Sequence, residues 1–342
     1  MRFGTLGTAG FHGDFDQTIA WARRLEEAGF SYIGTSDSPG LYRDTFVTQA
    51  LLARSTTRAM LGTWVTNPVL RHPAVTAGAI ASIAELSKGR AVLGIGSGDS
   101  AVRNVGERAA TLAEMEEYIL AVRGLLERGE ASYRGRRLLM RWKAPRVPIY
   151  IAASGPKTLR LAGRIADGAI IAVGCDPQTV EDCLGWLAEG AREAGKDPKT
   201  LDVWWALLLS VGKDRASAIE DIRFGLASRA HHTFRPGFEG KRVPERFQAP
   251  LRELVRSYRS IEHGITQHTH NANLARDLGL TEFLAQRFAV TGTAEECVAQ
   301  LKALELVGVT NIMPSLHSGR GGFQFEEFAG QVMPAFREEV KR

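Results

Sequence analysis

Eight short apolar runs, each followed by a longer stretch of helical spacing, predict a (β/α)8 barrel of the TIM type. Two further observations support it. The runs are continuously apolar rather than alternating, as in parallel strands covered on both faces. Several of them also stop at glycine- and hydroxyl-rich loops, the sequence pattern of ligand-binding strand ends in α/β folds.

Arg2 to Gly7 reads as the first strand, and Asp14 to Ala28 as a helix stopped by Gly29. Strand 2 spans 31–35, and a helix follows over Asp44 to Arg54, with Asp44 as its N-terminal acid. Ala59 to Val65 is strand 3, with a helix from Pro73 to Leu86. Ala91 to Ile95 is strand 4, with a long helix over Glu107 to Arg128. Glu130 to Val147 is basic and without period, so it reads as an inserted loop or hairpin. Strands 5 and 6 fall at 148–152 and 168–172, with helices over Lys157 to Ile165 and Pro177 to Ala194. Asp202 to Val211 is strand 7, followed by a helix from Arg215 to Ala230.

The rhythm then breaks. Residues 231–286 are rich in His, Arg, Pro and Gly, give no strand signal and read as a partly helical insertion. A helix over Thr293 to Val307 opens on a capping box of Thr293 and Glu296. Val309 to Leu316 is the eighth strand and Phe325 to Val340 the last helix. The expected organisation is one barrel domain over residues 1–342, with the insertion between strands 7 and 8.

Composition excludes several function classes. The 342 residues are 44% hydrophobic and 24% charged, as in ordinary globular proteins. Net charge is +5, with basic residues scattered among acids, so no nucleic-acid footprint is expected; an anionic ligand such as a phosphate is compatible. Three cysteines, Cys175, Cys183 and Cys297, give no disulfide framework. No signal peptide and no apolar run of membrane-spanning length is present, so a cytoplasmic protein is expected.

The loop after strand 4 carries Gly96-Ser97-Gly98-Asp99-Ser100-Ala101. It matches a G-x-G-x-x-A dinucleotide fingerprint, but the acids about 20 residues on lie within a helix, which disfavours a nicotinamide-binding unit. A structural turn is one reading; a ring system lying over the glycines is the favoured one. Ser154-Gly155-Pro156-Lys157-Thr158 opens a helix after strand 5 and offers N–H groups, a charge and a hydroxyl to a phosphate. Thr66, Asn67 and Pro68 end strand 3. Asp37 and Asp99 are the two strand-end carboxylates, candidates for acid–base or hydrogen-bonding work as well as for simple caps. His263, His268 and His270 in the insertion lack metal-ligand spacing and read as loop residues; His231 and His232 read as surface.

With these motifs placed, the chain resembles the bacterial luciferase-like superfamily, in the branch related to F420-dependent methylenetetrahydromethanopterin reductase. The matching segments are Trp64 to Pro68, Arg90 to Ala101, Ile149 to Asp167 and Arg287 to Cys297. The resemblance implies coenzyme F420 or FMN held at the strand ends. Val65, Thr66 and Asn67 would line the ring, after a non-proline cis peptide at Trp64–Val65. Ser97, Gly98, Asp99, Ser100 and Ala101 would border its polar edge. Ser154, Gly155, Pro156, Lys157 and Thr158, with Gly174, would hold the phosphate and ribityl tail. Asp37 matches the family's acid near the substrate, the insertion would cover the mouth, and a homodimer is implied.

The implied activity is hydride transfer between reduced cofactor and a small organic substrate. A reduced-FMN monooxygenase and a non-catalytic flavin-binding protein remain alternatives. Two departures bear on substrate. The strand 2 loop, Ser38-Pro39-Gly40-Leu41-Tyr42, lacks the His and Trp of relatives acting on sugar phosphates. Gly7 to His12 lacks the acids that follow strand 1 in the reductase itself.

Overall fold

A computed structural model describes residues 1–6, 14–259, 262, 269–316 and 324–337. Gly7 to His12, His263 and His268 therefore lie outside the described residues.

The elements follow in order. β1 (Arg2–Leu6), α1 (Phe15–Ala28), β2 (Tyr32–Thr35), α2 (Thr45–Ser55), β3 (Met60–Thr63), α3 (Pro73–Leu86) and β4 (Ala91–Ile95) form the first half. After α4 (Ser100–Arg103) and α5 (Leu112–Arg128), β5 (Glu130–Tyr133) and β6 (Arg136–Leu139) make an antiparallel hairpin. β7 (Ile149–Ala153), α6 (Pro156–Ile165), β8 (Gly168–Ile171), α7 (Pro177–Glu193) and β9 (Asp202–Val211) follow. Next come α8 (Arg215–Phe234), α9 (Glu245–Ser257), α10 (His270–Asp277), α11 (Thr281–Phe288), β10 (Ala289–Gly292), α12 (Ala294–Leu306), β11 (Asn311–Ser315) and α13 (Phe325–Glu327).

Eight parallel strands close on themselves in the order β1, β2, β3, β4, β7, β8, β9, β11 and back to β1. Strand 4 is thus the fourth stave of a barrel, which removes the dinucleotide-unit reading. β9 is long enough to serve three neighbours. Its first residues pair with β8, its middle with β11, and its end with β10, in register Ala289↔Leu208 to Gly292↔Val211. β10 was not legible in the sequence: four buried residues carry no period.

The interior is filled by Tyr32, Val92, Tyr150, Ile170, Trp204 and Met313, with Trp64, Val65 and Ala152 packed against them. Two of the staves yield space to these rings. A Cβ on Gly62 would lie 2.0 Å from the Tyr32 hydroxyl, and one on Gly4 2.9 Å from the Trp204 ring. The barrel is therefore a packed plug, and any ligand must sit above it.

Helix boundaries follow local chemistry. Asp14 and Gln17 form a capping box for α1, and Gly29 ends it at φ 98°. Asp44 caps α2 through the N–H groups of Phe46 and Val47, and Thr293 with Glu296 boxes α12, both as expected. The helix expected from Glu107 begins only at Leu112. Ala110 donates to the Ser97 carbonyl at 2.8 Å, which ties that segment to the strand 4 loop, and Thr111 is the cap. The last helix is not a regular α-helix: after α13 the chain runs through a π-helical turn over Phe328–Val332 and a 3-10 turn over Met333–Phe336, where Pro334 has no N–H to extend a ladder.

Candidate active site at the barrel mouth

The strand 3 end is built by a break in the ladder. The Trp64–Val65 peptide is cis. The chain then rejoins β4: Thr66 N–H donates to Gly94 O and Gly96 N–H to Thr66 O, both at 2.9 Å. A Cβ on Gly96 would press within 3.2 Å of the Val65 side chain. Thr66 is buried and donates its hydroxyl to Asp37 at 2.6 Å. Arg71 grips the same carboxylate with both nitrogens, at 2.6 and 3.1 Å, and reaches Asp44 at 2.8 Å. Asn67 is buried too. Its Oδ1 accepts from the N–H groups of Val69 and Leu70, each at 3.0 Å, which fixes the amide. Its Nδ2 is left as a buried donor with no acceptor among the described residues.

The strand 4 loop turns at Gly98, whose φ of +97° suits glycine. Ser97 is exposed, Ala101 is buried, and the Ser100 hydroxyl lies 3.5 Å from that of Ser38. Asp99 meets two residues that the sequence had placed elsewhere. α8 runs past residue 230 and delivers His232, whose Nδ1 is 2.9 Å from Asp99 Oδ2, and Arg235, whose Nη1 is 2.5 Å from Oδ1. Burial alone would raise the Asp99 carboxyl, but the His232 and Arg235 contacts outweigh it and hold it well below the usual range. His232 is at the surface, as expected, but its ring is engaged by Asp99.

The neighbouring His231 stacks on Tyr258, with centroids 4.3 Å apart at 13°. Burial, then the Arg235 charge, pushes its imidazole down to about 4. A lowered histidine disfavours the proton in the folded state, so stability is lost as pH falls from about 6.5 to about 4. Denaturant titrations at pH 7 and pH 5 are expected to differ by about 1 kcal/mol from this group. His231→Phe, which keeps the stack, should remove that part of the difference; an unchanged difference would detach it from His231.

The strand 5 end gives an open helix terminus. Gly155 caps α6 in an extended conformation without a side-chain bond, and a Cβ there would meet empty space. Pro156 has no N–H, so the N–H groups of Lys157 and Thr158 lack intrahelical acceptors. Lys157 is exposed, and Ser154 and Thr158 half-buried. Beside it, Gly174 adopts φ +140° and packs against Arg287; a Cβ there would lie 3.1 Å from that side chain.

Arg287 is 5% exposed. Its Nε donates to Val173 O at 3.1 Å, Nη1 lies 3.8 Å from Asp176, and Nη2 has no partner among the described residues. Two more cations share this neighbourhood. Lys241 donates to Thr233 O and Gly237 O at 2.5 and 2.8 Å, and burial, then the Arg287 charge, pulls its amine down to about 8. Arg229 has no hydrogen-bond or ion-pair partner among the described residues, and burial lowers it to about 10. The 231–286 insertion reaches the α6 terminus as well: a Cβ on Gly240 would strike Pro156 at 2.8 Å.

Sequence reasoning missed Arg71, Arg229, His232, Arg235, Lys241 and Arg287 as site residues. Arg287 stood in a segment already singled out, and His232, Arg235 and Lys241 stood in the insertion expected to cover the mouth, but none was named as a site residue. His270 is turned elsewhere, its Nε2 3.0 Å from Ser257 O. No group of three metal-ligating side chains occurs among the described residues.

A closed parallel barrel with its polar and charged groups gathered at the carboxyl ends of the strands is the architecture of a mouth-binding (β/α)8 protein. The family profile of luciferase-like monooxygenases matches residues 1–311, and the chain belongs to that family. It is 31% identical to 5,10-methylenetetrahydromethanopterin reductase of Methanolobus tindarius over 86% of this chain and 88% of that protein. It is 35% identical to F420-dependent hydroxymycolic acid dehydrogenase of Mycobacterium tuberculosis (strain ATCC 25618 / H37Rv), over 59% of this chain and 61% of that protein. The coenzyme F420-dependent tetrahydromethanopterin reductase of Methanopyrus kandleri superposes with a TM-score of 0.78 at 23% identity, covering 98% of this chain and 99% of the other.

Proposed function

We propose that the protein is an F420-dependent oxidoreductase that transfers hydride between the cofactor and a small organic substrate. One observation carries this reading: the mouth holds buried donors that the protein leaves unmatched, Asn67 Nδ2 at the strand 3 bulge and Arg287 Nη2 beside Gly174. A buried unpaired donor costs about 1–3 kcal/mol, so an acceptor-bearing ligand that reaches both sites recovers that cost. The residues fit a group with a polar-edged ring and a phosphate tail. Val65, Thr66 and Asn67, with the Ser97 to Ala101 loop, would hold the ring. The N–H groups of Lys157 and Thr158, with Gly174 and Arg287, would hold the phosphate. The names of the curated relatives favour F420 over FMN.

When bound, the cofactor would supply the hydride chemistry; the chain's own residues do the rest. Asp37, gripped by Arg71, positions Thr66. Asp99 holds His232 through Nδ1, which leaves Nε2 to give or take the proton that accompanies hydride transfer to a polar double bond. The whole chain serves as one barrel domain with the insertion roofing the mouth, working as a cytoplasmic homodimer. Exposed Val47 on α2 and Val75 on α3, two helices that pack together, offer the second copy an apolar face.

The test is fluorescence titration with F420 and with FMN. F420 is expected to bind, and Gly155→Val to weaken it about tenfold by filling the space in front of the helix terminus. Lys157→Ala should cause a smaller loss. Binding of neither cofactor would overturn the proposal; binding of FMN alone, with oxygen uptake when it is reduced, would replace it with the monooxygenase.

A further inference from the structure

The chain's charge excess lies in one place that the proposed reaction does not use. The whole sequence has 43 basic and 38 acidic residues, a net +5. The stretch from Ala131 to Val147 holds six of the basic ones (Arg134, Arg136, Arg137, Arg141, Lys143 and Arg146) and no acid, so the remainder of the chain sits at −1. This stretch is the β5–β6 hairpin and the segment leading from it to β7.

One side of the hairpin is firmly seated. Tyr133 is 8% exposed and meets Tyr118 of α5 edge-on at 6.0 Å, and the Arg134 N–H donates to the Glu117 carboxylate at 2.8 Å. The exposed side chains of the stretch are mostly basic. Arg137 pairs with Glu130 at 2.6 Å and Arg146 stands 3.7 Å from Asp167. Arg136, Arg141 and Lys143 are exposed and have no hydrogen-bond or ion-pair partner among the described residues. Between these cations in the sequence stand two exposed apolar side chains, Leu139 at 55% and Trp142 at 41% exposure.

We propose that this exposed basic stretch docks the protein onto an anionic lipid surface. Free arginine and lysine side chains are attracted by the negative potential of a leaflet rich in acidic headgroups. A tryptophan and a leucine set among them suit the boundary between headgroups and acyl chains. A nucleic acid would satisfy the cations but give Leu139 nothing to bury against, so the lipid surface accounts for both features. No helix of the described residues is long and apolar enough to span a bilayer, and docking of this kind needs none. The barrel mouth is built from other residues, so docking leaves it unaltered.

The experiment is co-sedimentation of the full-length protein with vesicles of pure phosphatidylcholine and of an equimolar mixture with phosphatidylglycerol. The protein is expected to pellet with the mixed vesicles only, and to be released as salt rises. The triple variant R136E/R141E/K143E should bind at least about tenfold more weakly. L139S/W142A keeps the charge and should lose about threefold. All five positions are exposed, and an unchanged melting temperature identifies variants that remain folded. Absence of wild-type binding to the mixed vesicles, or equal binding by both folded variants, overturns the proposal. So does duplex DNA binding as tight as vesicle binding and insensitive to L139S/W142A, and so does a change of oligomeric mass in the triple variant.

Discussion

Replacing Arg71 with methionine is expected to lower the unfolding free energy by about 3–5 kcal/mol, the cost of leaving one member of a buried ion pair behind. Asp37 has a side-chain exposure of 3%. Three of its bonds come from two residues: the two Arg71 nitrogens at 2.6 and 3.1 Å and the Thr66 hydroxyl at 2.6 Å. Without Arg71 the carboxylate keeps one neutral donor in a site closed to water. D37N/R71M should recover much of the loss, since no charge is left to strand. Urea titrations by circular dichroism, read as a double-mutant cycle, measure all of this. A single-variant cost under about 1 kcal/mol would mean that the pair is no more than a surface bridge.

The ion pair also shows where sequence reading stopped. Asp37 was visible because it follows an apolar run, and strand ends are where such folds place polar groups. Its partner lies 34 residues on, in the loop before α3, and nothing local marks an arginine as the hand that closes on a distant carboxylate. The same holds for Asp99, whose hydrogen-bond partners stand 133 and 136 residues away, although Arg103 one turn on lies 3.6 Å from it. Periodicity located the eight barrel strands because each buries a continuous apolar run. It did not locate β10, which owes its pairing to the unusual length of β9. Glycines were legible as a class, but their reasons were not: Gly62 is small because Tyr32 fills the barrel, whereas Gly155 leaves open space in front of a helix end. The extension of α8 to Phe234 mattered most. A helix that stopped at Ala230 would have left His232 and Arg235 as loop side chains.

Those two residues frame the second large effect. Asp99→Asn is expected to reduce turnover by about 10²–10⁴-fold while F420 affinity, read by fluorescence, changes by no more than about threefold. An ionised Asp99 accepts from Arg235 and from His232 Nδ1, so it selects the tautomer that leaves Nε2 available to the substrate. An asparagine offers one oxygen where two donors now converge, and its amide NH₂ can favour the opposite tautomer. The loss should therefore fall on kcat more than on KM. His232→Ala should cost a similar factor, and the double variant little more than either single one, because the two residues act as a unit. A structural role for the pair would behave otherwise. It would shift the melting temperature and weaken cofactor binding in parallel with activity, and the single-variant losses would multiply. Full activity in His232→Ala would return the proton to another group and leave Asp99 as the anchor of α8 over the mouth.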